Sequence, residues 1–276
     1  MTQHTGDTRP PSVLTIAGSD SGGGAGIQAD LKTFAAFGVH GLSAIAALTA
    51  QNTRGVTAVH VPPVAFLREQ IDVLFADFRI ESVKLGMLAN AEVIEVVADA
   101  LAAHAPAHVV IDPVMVSTSG ARLLDEDALD ALHGRLFPLA TLLTPNLHEA
   151  ELLLGERIPD GEAMAAAARN LHEQSGAAVL MKGGHLPGTE VIDMLFDGEQ
   201  HIRFCHPRLD VNGHGTGCTL SAAIAAKFAQ GWDLEAACRD AADYVFGALR
   251  HALRPGTGGV AVLDHGWRLA ESLRPG

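Results

Sequence analysis

Cysteine is scarce in this chain: Cys205, Cys218 and Cys238 are the three thiols in 276 residues. They are too few and too scattered for a disulfide framework, and no Cys-x-x-Cys pair offers a zinc site, so the expected compartment is a reducing one, the cytoplasm. Lysine and arginine form no run, and the formal net charge is −13. That balance argues against a nucleic-acid backbone or an anionic membrane surface as partner. No apolar run reaches membrane-spanning length. Residues 1–11 are polar, with Asp7, Arg9 and two prolines, which reads as a disordered lead and not as a signal peptide.

Other absences concern chemistry. There is no Gly-Lys dipeptide, which excludes the common P-loop, and neither His-Glu-x-x-His nor Gly-x-Ser-x-Gly occurs, so zinc proteolysis and nucleophile-elbow hydrolysis have no support. Gly24-Ala-Gly-Ile-Gln-Ala29 satisfies the GxGxxA pattern of dinucleotide folds. Such folds hold the ribose with an acid about twenty residues further on, yet no Asp or Glu stands between Asp30 and Glu69.

What is present is a core-rich chain, 48% hydrophobic and 18% charged, long enough for one α/β domain over residues 12–276. Strand-like runs at residues 13–17, 44–49, 82–85, 109–111, 142–144 and 179–181 alternate with helical spacing at 27–37, 64–78 and 91–104. The strands lack an outward polar face. That indicates a mainly parallel sheet covered on both sides, a three-layer α/β/α sandwich. Residues 191–196 and 201–204, separated by Asp197-Gly198, read as a β-hairpin at the sheet edge, and alanine-rich helices over 219–230 and 234–253 close the domain.

In parallel sheets, polar residues just past the strand C-termini line the ligand crevice. Here those positions hold Asp20, Gln51, Asp112, Asn146 and Lys182. Singly each also suits a turn or a helix cap. Gly213-His-Gly-Thr-Gly-Cys-Thr-Leu-Ser221 then runs into a small-residue helix, and the free N–H groups of a helix start beside loop glycines form an anion site. Phosphoryl transfer needs a cation against the phosphates, oxygen ligands for a metal, N–H donors for developing charge and a group near the attacking hydroxyl. Each has a candidate in this set.

Seven segments together resemble the hydroxymethylpyrimidine/phosphomethylpyrimidine kinases, a ribokinase-like family. They are Gly18-Ser-Asp-Ser-Gly-Gly-Gly-Ala-Gly-Ile-Gln-Ala-Asp-Leu-Lys32, Ala50-Gln-Asn-Thr53, Lys84-Leu-Gly-Met-Leu88, Asp112-Pro-Val-Met-Val116, Thr144-Pro-Asn-Leu-His-Glu-Ala150, Met181-Lys-Gly-Gly-His185 and His214-Gly-Thr-Gly-Cys-Thr-Leu-Ser221. The resemblance spans about residues 13–265. It implies a ribokinase-like fold, ATP and Mg²⁺ as cofactors, a homodimer, and transfer of the γ-phosphoryl of ATP to 4-amino-5-hydroxymethyl-2-methylpyrimidine and then to its monophosphate.

The resemblance places Asp30 and Gln51 on the pyrimidine ring, with Gly18, Ala25 and Met87 as walls. It places Lys182 and Asp112 by the nucleotide phosphates, with Asn146 and Glu149 positioning Mg²⁺ through water. Gly215, Thr216 and Gly217 would form the anion hole, with Cys218 facing the hydroxymethyl group. A thiol at a helix N-terminus can be acidified toward a thiolate base. Two alternatives stand beside this reading: a pyridoxal kinase on the same scaffold, disfavoured by Ser117 where some bacterial pyridoxal kinases carry a cysteine, and an idle pyrimidine-binding regulatory module, disfavoured by intact Glu149, Lys182 and Cys218.

Overall fold

The computed structural model describes residues 9–116, 120, 123–125 and 128–272. The disordered lead expected over residues 1–11 lies outside the described residues as far as residue 8. Arg9 is tied down, its guanidinium donating to the Asp77 carbonyl at 2.6 Å.

In chain order the elements are β1 (Ser12–Asp20), α1 (Gly26–Ala36), β2 (His40–Asn52), β3 (Gly55–His60), α2 (Val64–Asp77), β4 (Ile80–Leu85) and α3 (Ala91–His104). Then follow β5 (His108–Ile111), the short α4 (Ala128–Ala131), β6 (Leu142–Leu143), α5 (Leu147–Leu154), α6 (Gly161–Ser175) and β7 (Ala178–Met181). The hairpin β8 (Glu190–Phe196) and β9 (His201–Pro207), the two-residue β10 (Gly213–His214), α7 (Thr216–Ala229), α8 (Leu234–Arg250), β11 (Ala261–Val262) and α9 (Trp267–Ser272) complete it.

Nine strands form one sheet in the order β3-β2-β1-β4-β5-β6-β7-β8-β9. The pairs from β2 through β7 are parallel, while β3 and the β8–β9 hairpin pair antiparallel at the two edges. The expected edge hairpin is therefore present, and the sheet is predominantly parallel.

Side-chain alternation explains the three layers. Leu14, Ile16, Val83, Leu85, Val109, Ile111, Leu143, Val179 and Met181 enter one core, which α2, α3, α5 and α6 cover. Val13, Val110, Leu142 and Leu180 enter the other, against Phe34 of α1 and the alanine-rich faces of α7 and α8. Because successive residues point to opposite faces, a strand buried on both sides reads as an unbroken apolar run. This is the pattern seen in the sequence.

Chain order reverses about β1, which has β2 on one side and β4 on the other. Such a switch point opens a crevice at the C-terminal ends of the parallel strands. The small β10–β11 pair lies outside the main sheet and holds the loop before α7 beside residues 261–262.

Candidate active site

A cavity of about 720 Å³ lies at those strand ends, within the range of small-ligand sites. It is lined from β1 (Gly18, Asp20), the start of α1 (Ala25), β2 (Gln51), the segment after β4 (Met87), the segment after β5 (Asp112), α5 (Glu149), the segment after β7 (Lys182) and the β10–α7 loop (Gly215 to Cys218). Of the residues singled out in the sequence, Gly18, Ala25, Gln51, Met87, Asp112, Asn146, Glu149, Lys182, Gly215, Thr216, Gly217 and Cys218 all border it. Asp30 does not. Ser117 lies outside the described residues.

At one end, Asp20 organises the first glycine loop. Its carboxylate accepts from the N–H groups of Gly22 (2.7 Å), Gly24 (3.0 Å) and Ala25 (2.8 Å), with His214 Nε2 3.1 Å away. Burial works to raise the Asp20 pKa, but the bonds to His214, Gly22 and Ala25 prevail and hold it below the usual carboxylate value. The same His214 nitrogen lies 3.2 Å from Gln51 Nε2, and Thr49 Oγ1, which also faces the Ser19 carbonyl at 2.8 Å, lies 3.0 Å from Gln51 Oε1, so polar neighbours flank the Gln51 amide at the cavity wall. Met87 packs on Gly18, where a Cβ would lie 3.0 Å from its sulfur. The result is a small slot with apolar faces and one amide.

Asp30 departs from its expected place on the pyrimidine ring. It faces the sheet from α1 with no exposure. Its carboxylate accepts from Thr15 Oγ1 at 2.6 Å and from Lys84 Nζ at 2.9 and 3.0 Å. Those partners occupy the carboxylate behind the cavity. Lys84, to which the sequence reading gave no role, stands between Asp30 and the cavity, where it forms part of the lining. Burial works to lower its pKa, but the carboxylates of Asp30 and Asp112 raise it well above an ordinary lysine, so it is charged.

At the other end, Lys182 Nζ donates to Asp112 Oδ1 at 2.6 Å and lies 3.6 Å from Glu149 Oε2. Burial of Lys182 is outweighed by these carboxylates, which keep the ammonium charged. Glu149 is 5% exposed. Burial pushes its carboxyl up to about 7, against the attraction of Lys182 and with the repulsion of Asp112. Asn146 and Glu149 also form a capping box on α5. The Asn146 N–H donates to Glu149 Oε2 (2.7 Å), and the Glu149 N–H donates to Asn146 Oδ1 (3.0 Å). The pair caps a helix and borders the cavity.

Between the two ends stands the start of α7. Gly215 has φ 85°, and a Cβ there would run into the Gly24 carbonyl, so glycine lets the two loops meet backbone to backbone. A Cβ on Gly217 would lie 2.8 Å from Lys182 Nζ. No acidic residue stands in the first turn of α7, so its N–H groups and positive dipole end face the cavity, with the Asp112 carboxylate 3.5 Å from where a Gly217 Cβ would stand. Cys218 is half-buried on this turn. The expected acidification does not occur: burial pushes its thiol up to about 11, and Asp112 and Asp30 add to that despite the opposing Lys84 charge. At about 11, Cys218 is a neutral thiol near pH 7.

Among the described residues no group of three or more His, Cys, Asp or Glu side chains forms a metal cluster. Two carboxylates, Asp112 and Glu149, nevertheless border the cavity beside Lys182. This donor set fits a hard cation held through waters and by phosphate oxygens, not one enclosed by protein.

The sequence profile described as Phosphomethylpyrimidine kinase matches residues 20–263. The chain belongs to this family. It is 46% identical over 273 residues to the hydroxymethylpyrimidine/phosphomethylpyrimidine kinase of Streptomyces coelicolor, covering 98% of this chain and all of that one. It is 52% identical over 248 residues to the thiamine biosynthesis bifunctional protein ThiED of Geobacter sulfurreducens, covering 90% of this chain and about half (51%) of that longer protein. Among solved structures it resembles the pyridoxal kinase of Staphylococcus aureus in complex with AMP-PCP and pyridoxal, with TM-score 0.86, 31% identity and 94% of each chain covered. The family's fold is the ribokinase-like sandwich described above. No helix among the described residues is long and apolar enough to cross a membrane.

Lys84 and His214 are the site residues the sequence reading passed over. Lys84 carried a signal, being a charge inside the otherwise buried strand β4. His214 was hidden by the glycines around it, which drew attention to the loop's backbone.

Proposed function

We propose that the protein is an ATP-dependent kinase that phosphorylates 4-amino-5-hydroxymethyl-2-methylpyrimidine and then its monophosphate to the pyrophosphate, in thiamine biosynthesis. One observation carries this: a single cavity has an amide in an apolar slot at one end, a charged lysine between two carboxylates at the other, and a helix N-terminus with Cys218 between them.

The slot of Gly18, Ala25 and Met87 suits a flat ring, and the Gln51 amide offers both donor and acceptor to an aminopyrimidine edge. Lys182 lies against the nucleotide phosphates, and the N–H groups of Gly215, Thr216 and Gly217 face the group in transfer. Asp112 lies by the phosphates beside Lys182, and Asn146 and Glu149 would hold, through water, Mg²⁺, whose chemistry is to neutralise phosphate charge. A thiol of pKa about 11 is no thiolate base near neutrality. Cys218 therefore contacts the hydroxymethyl group as a neutral side chain, and positioning with charge neutralisation supplies the rate, as loose phosphoryl transfer allows.

The likeness to a pyridoxal kinase favours pyridoxal as the second candidate acceptor, since it too offers a hydroxymethyl on a small nitrogen ring. Higher identity to relatives named for the pyrimidine favours the first. The same reading makes the protein a cytoplasmic homodimer, supported by few thiols and by exposed Leu48, Val59, Phe66 and Val73 on β2, β3 and α2.

ADP release with Mg-ATP and either acceptor, with mass detection of products, tests this. Mono- and diphosphorylated pyrimidine is the expected result. Pyridoxal phosphate alone would promote the second candidate, and binding without turnover would point to a regulatory module.

A further inference from the structure

Charged groups cross the strand ends in sheet order: Asp30 over β1, Lys84 on β4, Asp112 after β5, Glu149 after β6 and Lys182 after β7. Lys182 has a task on the nucleotide side. Lys84 has none in the mechanism above, although it is a fully buried charge. A buried ion pair is often no more stabilising than an apolar pair of the same size, so stability alone gives little reason for one beside a cavity.

The orientation of the pair is informative. Lys84 borders the cavity and Asp30 does not, so of the two it is the lysine that meets the cavity, on the side away from Lys182, with its ammonium held by Asp30. Asp30 takes two contacts from an ammonium that carries three N–H groups. Around the ammonium the lining is small: Ala17 borders the cavity, and a Cβ on Gly86 would lie 2.9 Å from Nζ. With water excluded from Lys84, its charge acts at low dielectric on whatever fills the acceptor end.

The two acceptors of the proposed reaction differ in charge. In the first step a neutral hydroxyl attacks the γ-phosphorus, the bond from that phosphorus to the ADP oxygen breaks, and the hydroxyl proton is released. In the second an oxygen of the phosphate monoester attacks in the same way with the same bond breaking. That acceptor is largely a dianion above about pH 6, so no proton need leave, but two phosphate groups must approach each other. The second step needs a cation on the acceptor side. We propose that Lys84, oriented by Asp30, supplies this charge, holds the acceptor phosphate and sets the ratio of the second phosphorylation to the first. This inference rests on the two-step kinase reading.

The test uses the full chain carrying Asp30→Asn with Lys84→Met, which removes both charges together, and Lys84→Gln as a second variant. Each step is assayed separately, with hydroxymethylpyrimidine or its monophosphate as acceptor. The ratio of second-step to first-step kcat/KM is expected to fall by about ten- to a hundredfold, the factor that loss of a hydrogen bond to a charged group carries. Without nucleotide, calorimetry is expected to show the monophosphate losing affinity relative to hydroxymethylpyrimidine by a similar factor. A merely structural pair would lower both steps and both affinities together. An unchanged ratio in a wild-type background that makes the monophosphate overturns the role of Lys84 alone, whereas a wild-type protein that phosphorylates neither acceptor overturns the kinase reading beneath it.

Discussion

Replacing Glu149 by Gln separates the charge of this side chain from its structural duty. Gln accepts the N-cap N–H as Glu does, so the capping box with Asn146 survives. What changes is ionisation. The Glu149 carboxyl titrates at about 7 in the fold against an ordinary 4.5, a rise worth about 3 kcal/mol. The sign follows from proton counting: between those values the folded state keeps a proton that the unfolded chain has lost, so wild-type stability falls as pH rises from about 4.5 to about 7 and the loss is complete above that. The variant has no such loss. Other titrating groups are common to both proteins and cancel in the difference. Thermal melts should therefore show the variant gaining on wild type by roughly 5–10 °C between pH 4.5 and pH 8, given the shift in Tm per kcal/mol for a chain of this size. Turnover of the variant should be far lower, since the Mg²⁺-positioning charge is gone. A difference in Tm independent of pH, or one in which wild type gains on the variant, would refute the reasoning.

Lys182→Met should reduce kcat by a hundredfold or more, read by ADP release, because it removes the cation facing the phosphates and leaves Asp112 buried and unpaired. Alkylation of Cys218 by iodoacetamide should be slow at pH 7–8 and accelerate as pH rises toward its value of about 11; rapid modification at pH 7 would restore the thiolate-base role. Gly215→Ala should cost both stability and turnover, measured by Tm and kcat, since the new methyl meets the Gly24 carbonyl at a positive φ; an alanine variant with wild-type Tm would contradict the close loop approach.

Most of the architecture was legible because it was written in apolar runs. Strands such as Val109-Val-Ile111 are buried on both faces, and only a parallel sheet between two helical layers accounts for that. β3 escaped because it is an exposed edge strand with no apolar run long enough to announce it. α6 escaped although Asp160 caps it and Met164, Ala167, Ala168 and Leu171 form its buried stripe, because half of that stripe is alanine and stands out little from the alanines around it. The site was legible as residues past strand ends, since topology alone brings those ends together. Side-chain orientation was not: whether Asp30 faces the cavity or Lys84 depends on which way one turn of α1 presents its carboxylate. Nor was the Cys218 pKa, which burial and the nearby Asp112 and Asp30 carboxylates raise, none of which the helix start in the sequence discloses.

In the proposed reaction one cavity brings acceptor, phosphates and helix N-terminus into line. The most direct measurement is a crystal structure of the protein with hydroxymethylpyrimidine and a non-hydrolysable ATP analogue. The ring is expected between Ala25 and Met87 with its hydroxymethyl oxygen beside Cys218, and the terminal phosphate against Lys182 and the N–H groups of Thr216 and Gly217. A pyrimidine bound away from Gln51, or a nucleotide whose terminal phosphate does not reach the start of α7, would contradict this arrangement.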